Sequence, residues 1–464
     1  MEFEKENGGR EMTQLDAYDL TVSEASRLIR ANELSPSELL ESVLRRIDKL
    51  ESKLQAWVTI DQESVKATAE QYSTEAAKGH LRGPLHGIPI GIKDIFFTAG
   101  MKTTAGSKIL ANFIPDYSAS TVTRLKAAGA IVLGKTETTE FADFDPAATR
   151  NPWNLNHTPG GSSSGSAAAV SAGMCPTSLG SQTGGSTIRP AAYCGIVGLK
   201  PTYGRISRFG MIPLSWSLDH VGIFTRTVKD AALLLEILAG HDPKDTSSST
   251  LPVPPYSSAT DNTSPPRLAL LKEYFWDNAT KEVRENIVKV SEHLKASGAK
   301  VVEQPLPESF NVVNAAYWIM KTTEEAAVHE ENFQTRMDDY GPIISQAIAT
   351  GLLLPPSAYL KVLRIRGRVI REMATALQAY DCFITPATTD SPPKGLGSTG
   401  NPTFNSPWSF CGFPAITIPT SVTRDGLPLG IQLVSRPFDE KRLISVASWC
   451  EKTLQFGHAA HNPV

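Results

Sequence analysis

Between Thr158 and Cys194 the chain reads TPGGSSSGSAAAVSAGMCPTSLGSQTGGSTIRPAAYC, a run with little side-chain bulk and many hydroxyls. Two Gly-Gly-Ser clusters, Gly160-Gly161-Ser162 and Gly184-Gly185-Ser186, bracket an alanine-rich centre. Glycine lets backbone approach backbone or a ligand and permits positive φ. The pattern predicts a tightly packed buried helix over about 165–173, held between two turns whose N–H groups and serines converge. A serine becomes a nucleophile at neutral pH only when a base takes its proton. No base lies within the stretch itself.

None of the nine histidines lies within the stretch, and no strand-to-helix nucleophile elbow is read there. No G-x-x-x-x-G-K-[ST] phosphate loop and no H-E-x-x-H metal pair is present. The other available base is lysine. Lys93 closes the run Ile88-Pro89-Ile90-Gly91-Ile92-Lys93-Asp94, whose alternating isoleucines predict a strand. A lysine withdrawn from water loses its proton more easily. Bringing its pKa from about 10.4 to 7–8 takes roughly 3–4 kcal/mol of differential stabilisation. A salt bridge to Asp94 would oppose that, but strand neighbours point to opposite faces. From these residues alone, Lys93 is either a desolvated base or a salt-bridged surface residue.

The rest of the chain alternates helix and strand. Thr21/Glu24 and Ser35/Glu38 form capping boxes ahead of amphipathic helices, the second with Pro36 in its first turn. Strands are expected at 56–60, 130–134, 195–200, 267–271, 299–302 and 381–386. Helices are expected at 61–78, 119–129, 227–240, 281–297 and 438–454. A hairpin over 415–434 turns at Asp425-Gly426. Residues 244–266, rich in Ser, Thr and Pro, read as a surface connection. Residues 311–380 read as a helical segment covering a cleft, with Tyr317, Trp318 and Met320 facing it. The alternation implies an α/β fold with helices on both faces of the sheet. Residues 1–15 read as a disordered or extended tail, and 16–464 as a single domain.

Composition excludes little. Net charge is −3, with no basic footprint for nucleic acid. No run of about 18 apolar residues offers a membrane span, and the polar N-terminus has no apolar signal core. The cytoplasm is therefore the expected location. The five cysteines are scattered and form no C-x-x-C pair, so neither a disulfide framework nor a zinc site is expected.

Three separated segments together carry a resemblance: GIPIGIKDIF, then TPGGSSSGSAAAV with GSQTGGSTIRPAAYCG, then GFPAITIPTSVTRDGLPLGIQLVSRPFDEKRL at 412–443. In order and content they resemble the amidase signature family over nearly the whole chain. The resemblance implies an α/β/α sandwich with a mixed central sheet. It also implies a Ser–cis-Ser–Lys triad, with Ser186 as nucleophile, Ser162 as bridging serine after a cis Gly161–Ser162 bond, and Lys93 as base. Thr183, Gly184, Gly185 and Ser186 would supply N–H groups to an oxyanion, with Gly161 and Gln182 in support. Ser163 would either join the triad network or cap the following helix.

No cofactor or metal is implied. The partner is a small-molecule amide, and a homodimer is compatible. Phe97, Phe141, Phe144 and Trp408 fall in regions that line the family's substrate cleft. Two positions depart from the commonest pattern: Gln182 stands where an acid is usual, and Arg189 follows the nucleophile by three residues. This QTGGSxIRP form resembles malonamidase-like members. Arg189 would bind a substrate carboxylate or anchor loops beneath the site. Three functions are expected in descending order. The first is an amide hydrolase, with aryl esters, anilides and carbamates (urethanes) as further substrates. The second is one component of an amidotransferase that releases ammonia from glutamine for a tRNA-dependent partner. The third is an inactive binding protein.

Overall fold

A computed structural model describes residues 17–457. The tail expected at 1–15 lies outside the described residues. Eleven strands form one continuous sheet. In chain order they are β1 (Trp57–Ile60), β2 (Pro89–Lys93), β3 (Ile131–Thr136), β4 (Thr177–Gln182), β5 (Val197–Lys200), β6 (His220–Thr225), β7 (Arg267–Leu270), β8 (Lys300–Glu303), β9 (Cys382–Pro386), β10 (Ala415–Val422) and β11 (Pro428–Val434). Across the sheet the order is β1-β3-β2-β4-β6-β5-β10-β11-β9-β7-β8. Parallel pairs β3-β2-β4 and β9-β7-β8 lie on either side of an antiparallel centre. This is the mixed, helix-covered α/β sheet that the sequence implies.

Both capping boxes form. Thr21 Oγ1 accepts from the Glu24 N–H and Ser35 Oγ from the Glu38 N–H, while each glutamate reaches back to the cap N–H. The helix Pro36–Leu54 then buries Leu39, Leu40, Val43, Leu44, Ile47 and Leu50 and packs on the helix Gln62–Ala77. The alanine-rich helix, Ser164–Ser171, buries every residue through Val170. Its small side chains let it lie against β2, β3 and β4 at once. The segment 244–266 is largely exposed. It is nonetheless pinned at Tyr256, which is fully buried and accepts a 2.7 Å hydrogen bond from Arg205 Nε.

Helices Val313–Arg336, Pro342–Leu353 and Pro356–Ala376 occupy the segment read as a cover. The first of them packs on the short helix Ser406–Cys411. No single helix among the described residues is long and apolar enough to cross a membrane. Three elements around the site were not anticipated: β4, the helix Ile188–Tyr193 and β6.

Candidate active site

β2 and β4 are parallel neighbours, with Ile92 opposite Leu179. Their carboxyl ends therefore sit side by side, the edge where α/β sheets present ligands. Lys93 ends β2, and the turn Thr183–Ser186 follows β4. Lys93 has no exposed surface. Its Nζ lies 2.7 Å from Ser162 Oγ and 2.8 Å from Ser181 Oγ. Burial pushes the lysine well below its ordinary 10.5, opposed only by the more distant charge of Asp219. Asp94 does point away, as strand alternation requires. It faces Lys135 Nζ at 3.4 Å and accepts from the Thr104 hydroxyl at 2.6 Å.

Ser162 is fully buried and follows a cis peptide after Gly161. Its carbonyl accepts from the Thr139 N–H at 3.2 Å. The Gly161 carbonyl accepts from Arg189 Nη2 at 2.7 Å, which ties this turn to the helix that follows Ser186. A Cβ on Gly160, whose φ is +81°, would stand 3.0 Å from Pro190 Cα, so only glycine fits this close approach. Ser186 is the most exposed of the three expected triad residues, at 7%. Ser162 and Ser186 share no hydrogen bond among the described residues; catalytic hydrogen bonds are commonly long in ligand-free sites.

The turn around Ser186 is held by its carbonyls. Ser409 Oγ donates to Gly184 O at 3.0 Å, and the Arg189 N–H donates to Gly185 O at 2.9 Å. The N–H groups of Gly184, Gly185 and Ser186 donate to no protein acceptor among the described residues. Such N–H groups can serve a developing oxyanion. Thr183 Oγ1 donates to Asp219 Oδ1 at 2.6 Å, and Asp219 Oδ2 accepts from the N–H groups of Leu214 and Ser215.

Gln182 is fully buried. Its Oε1 accepts from the N–H groups of both Thr187 and Ile188 at 3.0 Å, and its Nε2 donates to Ser409 Oγ. The side chain thus satisfies the start of the helix Ile188–Tyr193. Gln182→Ala would orphan two buried donors at a cost of about 2 kcal/mol or more. The expected result is a lower denaturant midpoint, measurable by circular dichroism in urea.

Ser163 works mainly through backbone: its Oγ donates to Ser181 O and accepts from Ser181 N, both at 3.2 Å. It thereby fixes the strand end whose hydroxyl touches Lys93. Ser164 and Ser166 donate to the Gly160 and Leu179 carbonyls, as packing hydroxyls would.

Arg189 is 1% exposed, and burial lowers it to about 10. Nη2 also reaches Thr399 Oγ1, while Nε and Nη1 have no hydrogen-bond partner among the described residues. It therefore anchors the Gly161 turn and retains spare donors. Of the aromatic residues expected along the cleft, Phe144 fits best. It is half-buried, with its ring centre 5.7 Å from the Arg189 guanidinium and 5.5 Å from the Trp318 ring. Phe141, expected along the cleft, is instead buried against His329 and Tyr340.

Two more of the expected cleft residues need correcting. Phe97 packs instead with Phe113 and Tyr117, because it follows the tight turn that leaves β2. Trp408 is a fully buried core residue against Phe275, Phe310 and Phe383; its neighbour Ser409 is the one that reaches the Gly184 turn. The sequence did not reveal Ser181, Asp219 or Asn405. A Cβ on Gly185 would stand 2.6 Å from Asn405 Oδ1, and one on Gly184 2.5 Å from the Tyr317 hydroxyl. The cover helix thus touches the turn itself.

The amidase family's sequence model matches residues 38–444. A glutamyl-tRNA(Gln) amidotransferase subunit from Geobacillus thermodenitrificans is 38% identical, over 95% of this chain and 99% of its own. Among solved structures, peptide amidase from Stenotrophomonas maltophilia superposes with a TM-score of 0.83 at 30% identity, over 96% of this chain and 99% of its own. A chain from a vestigial protein complex, described in connection with the origins of an s-triazine catabolic enzyme, reaches 0.88 at 30% identity, over 95% and 99%. The fold and the matches define an enzyme acting on amide C–N bonds. The chain belongs to the amidase family.

Proposed function

We propose that the chain hydrolyses carboxylic amides through an acyl-enzyme on Ser186, using Ser162 and Lys93 as a proton relay. The observation that carries this reading is the 2.7 Å contact between Lys93 Nζ and Ser162 Oγ, in a buried setting with no acid touching the lysine. Neutral Lys93 takes the Ser162 proton as Ser162 takes that of Ser186. Ser186 Oγ attacks the carbonyl carbon, and the oxyanion faces the free N–H groups of the 184–186 turn. The proton returns through Ser162 to the leaving nitrogen, and water then releases the acid by the same relay. Aryl esters, anilides and carbamates present the same developing oxyanion and are included as substrates.

Phe144 and Trp318 supply an aromatic wall, and the spare Arg189 donors suit an oxygen on the substrate, including a carboxylate of the kind a malonamidase-like motif suggests. The five cysteines are all buried free thiols, which fits a reducing compartment such as the cytoplasm.

The names of the curated relatives favour a second reading. Several of them, 36–38% identical to this chain, are subunits of a glutamyl-tRNA(Gln) amidotransferase. On that reading the released ammonia passes to a partner acting on charged tRNA. The expectation of no nucleic acid rested on net charge alone, and that does not exclude a tRNA held by a partner protein. Assaying the purified chain alone on aliphatic amides, anilides, dipeptide amides, carbamates, malonamate and glutamine separates the two. Turnover of simple amides without a partner supports the hydrolase. Silence on all but glutamine, with activity restored by a partner, supports the amidotransferase.

A further inference from the structure

The helix Val313–Arg336 carries Tyr317, Lys321 and Glu325 four residues apart, so one stripe faces the site. All three are essentially without exposed surface. Tyr317 places its hydroxyl against Gly184. One turn on, Lys321 Nζ contacts Asp143 Oδ1 and lies 2.7 Å from Glu325 Oε2. Asp143 belongs to the loop after β3, which turns through Phe141 and Ala142 at φ +47° and +64°.

That loop is also bonded to the relay serine. The Thr139 N–H donates to Ser162 O, and Thr139 Oγ1 donates to Asp143 O at 2.8 Å. A closed circuit results, from Ser162 through Thr139 and Asp143 to Lys321, then up the helix to Tyr317 and the oxyanion turn. Phe144, next to Asp143, stands 5.6 Å from Lys321 Nζ.

One lysine facing two buried carboxyls leaves an excess negative charge unless a proton is held. Burial, with Asp143 beside it, raises Glu325 to about 8. With one proton held between the two carboxyls the cluster is neutral. A buried ionic bridge contributes little net stability against an apolar replacement. What it does supply is a fixed geometry between two elements.

We propose that Lys321, bridging Asp143 and Glu325, is a positioning residue that sets the distance between the cover helix and the Ser162 loop, and so selects how bulky a substrate fits between Phe144, Trp318 and the Gly184–Ser186 turn. The inference rests on the hydrolase reading above. Two variants test it, Lys321→Met and Asp143→Asn. The second leaves one lysine facing one carboxyl, Glu325, so the charges in the core stay matched even where Lys321→Met fails to fold.

Propionamide and 4-nitroacetanilide serve as small and bulky substrates, and methanesulfonyl fluoride as a small serine reagent. For Asp143→Asn, KM for the anilide is expected to rise about tenfold. KM for propionamide and the rate of sulfonylation at Ser186 should stay within threefold of the parent. An equal change on both substrates, or no change on either, overturns the proposal. If the unaltered enzyme is not sulfonylated at Ser186, the hydrolase reading fails instead.

Discussion

Ser186→Ala is expected to reduce kcat on any amide by about 10⁵–10⁶ while leaving the fold and the denaturation midpoint close to the parent. Ser186 is the least buried of the three proposed triad residues, so removing its hydroxyl disturbs the core least. The N–H groups of Gly184 and Gly185 remain, which explains why some acceleration over water should survive. Stopped assays with product detection by mass spectrometry have the range needed. Activity within tenfold of the parent would mean that another group attacks the carbonyl.

The second large effect concerns Lys93. Lys93→Met keeps the length of the side chain and removes the base, and kcat should fall by about 10²–10⁴. The pH profile carries further information. Burial favours the neutral amine, so the pKa lies well below 10.5 in the folded protein. Above that pKa the lone pair is available to Ser162. As pH falls through it, Lys93 gains a proton and the relay stops. The parent should therefore lose kcat/KM on the acidic side, and Lys93→Met should show low, flat activity over the same range. A parent profile that is flat down to pH 5 would exclude a neutral lysine as the base. The hydroxyl of Ser181, 2.8 Å from Lys93 Nζ, is available to hold the amine aimed at Ser162.

Local chemistry made much of this architecture legible before any coordinates. The capping boxes at Thr21 and Ser35 announce their helices because each satisfies its own orphan N–H groups within four residues. The hairpin at Asp425-Gly426 is likewise a short-range event, with Gly426 at φ +76°. β4 escaped notice because its sequence, TSLGSQ, has neither alternation nor bulk. Its strand character comes from pairing with β2 and β6 on either side.

The proposed triad comes from motifs, and Lys93 Nζ lies 2.7 Å from Ser162 Oγ. The surroundings of the triad were not legible in the sequence. Asp219 reaches Thr183 only because β6 runs antiparallel to β4, with His220 opposite Gln182. Trp408 and Phe97 look alike as isolated aromatics in suggestive loops, and only packing places one in the core and the other in a separate ring cluster. The Lys321 cluster joins residues from distant parts of the chain, and no local pattern marks Asp143 as its partner.

The central claim is that Ser186 carries the acyl group. The direct measurement is peptide mapping by mass spectrometry after the enzyme is trapped at steady state with a slowly hydrolysed aryl carbamate. The account predicts one carbamoyl adduct per chain, on the peptide containing Ser186, absent in Ser186→Ala and slow to form in Lys93→Met. A stoichiometric adduct on another residue, or steady turnover with no adduct on Ser186, would contradict it.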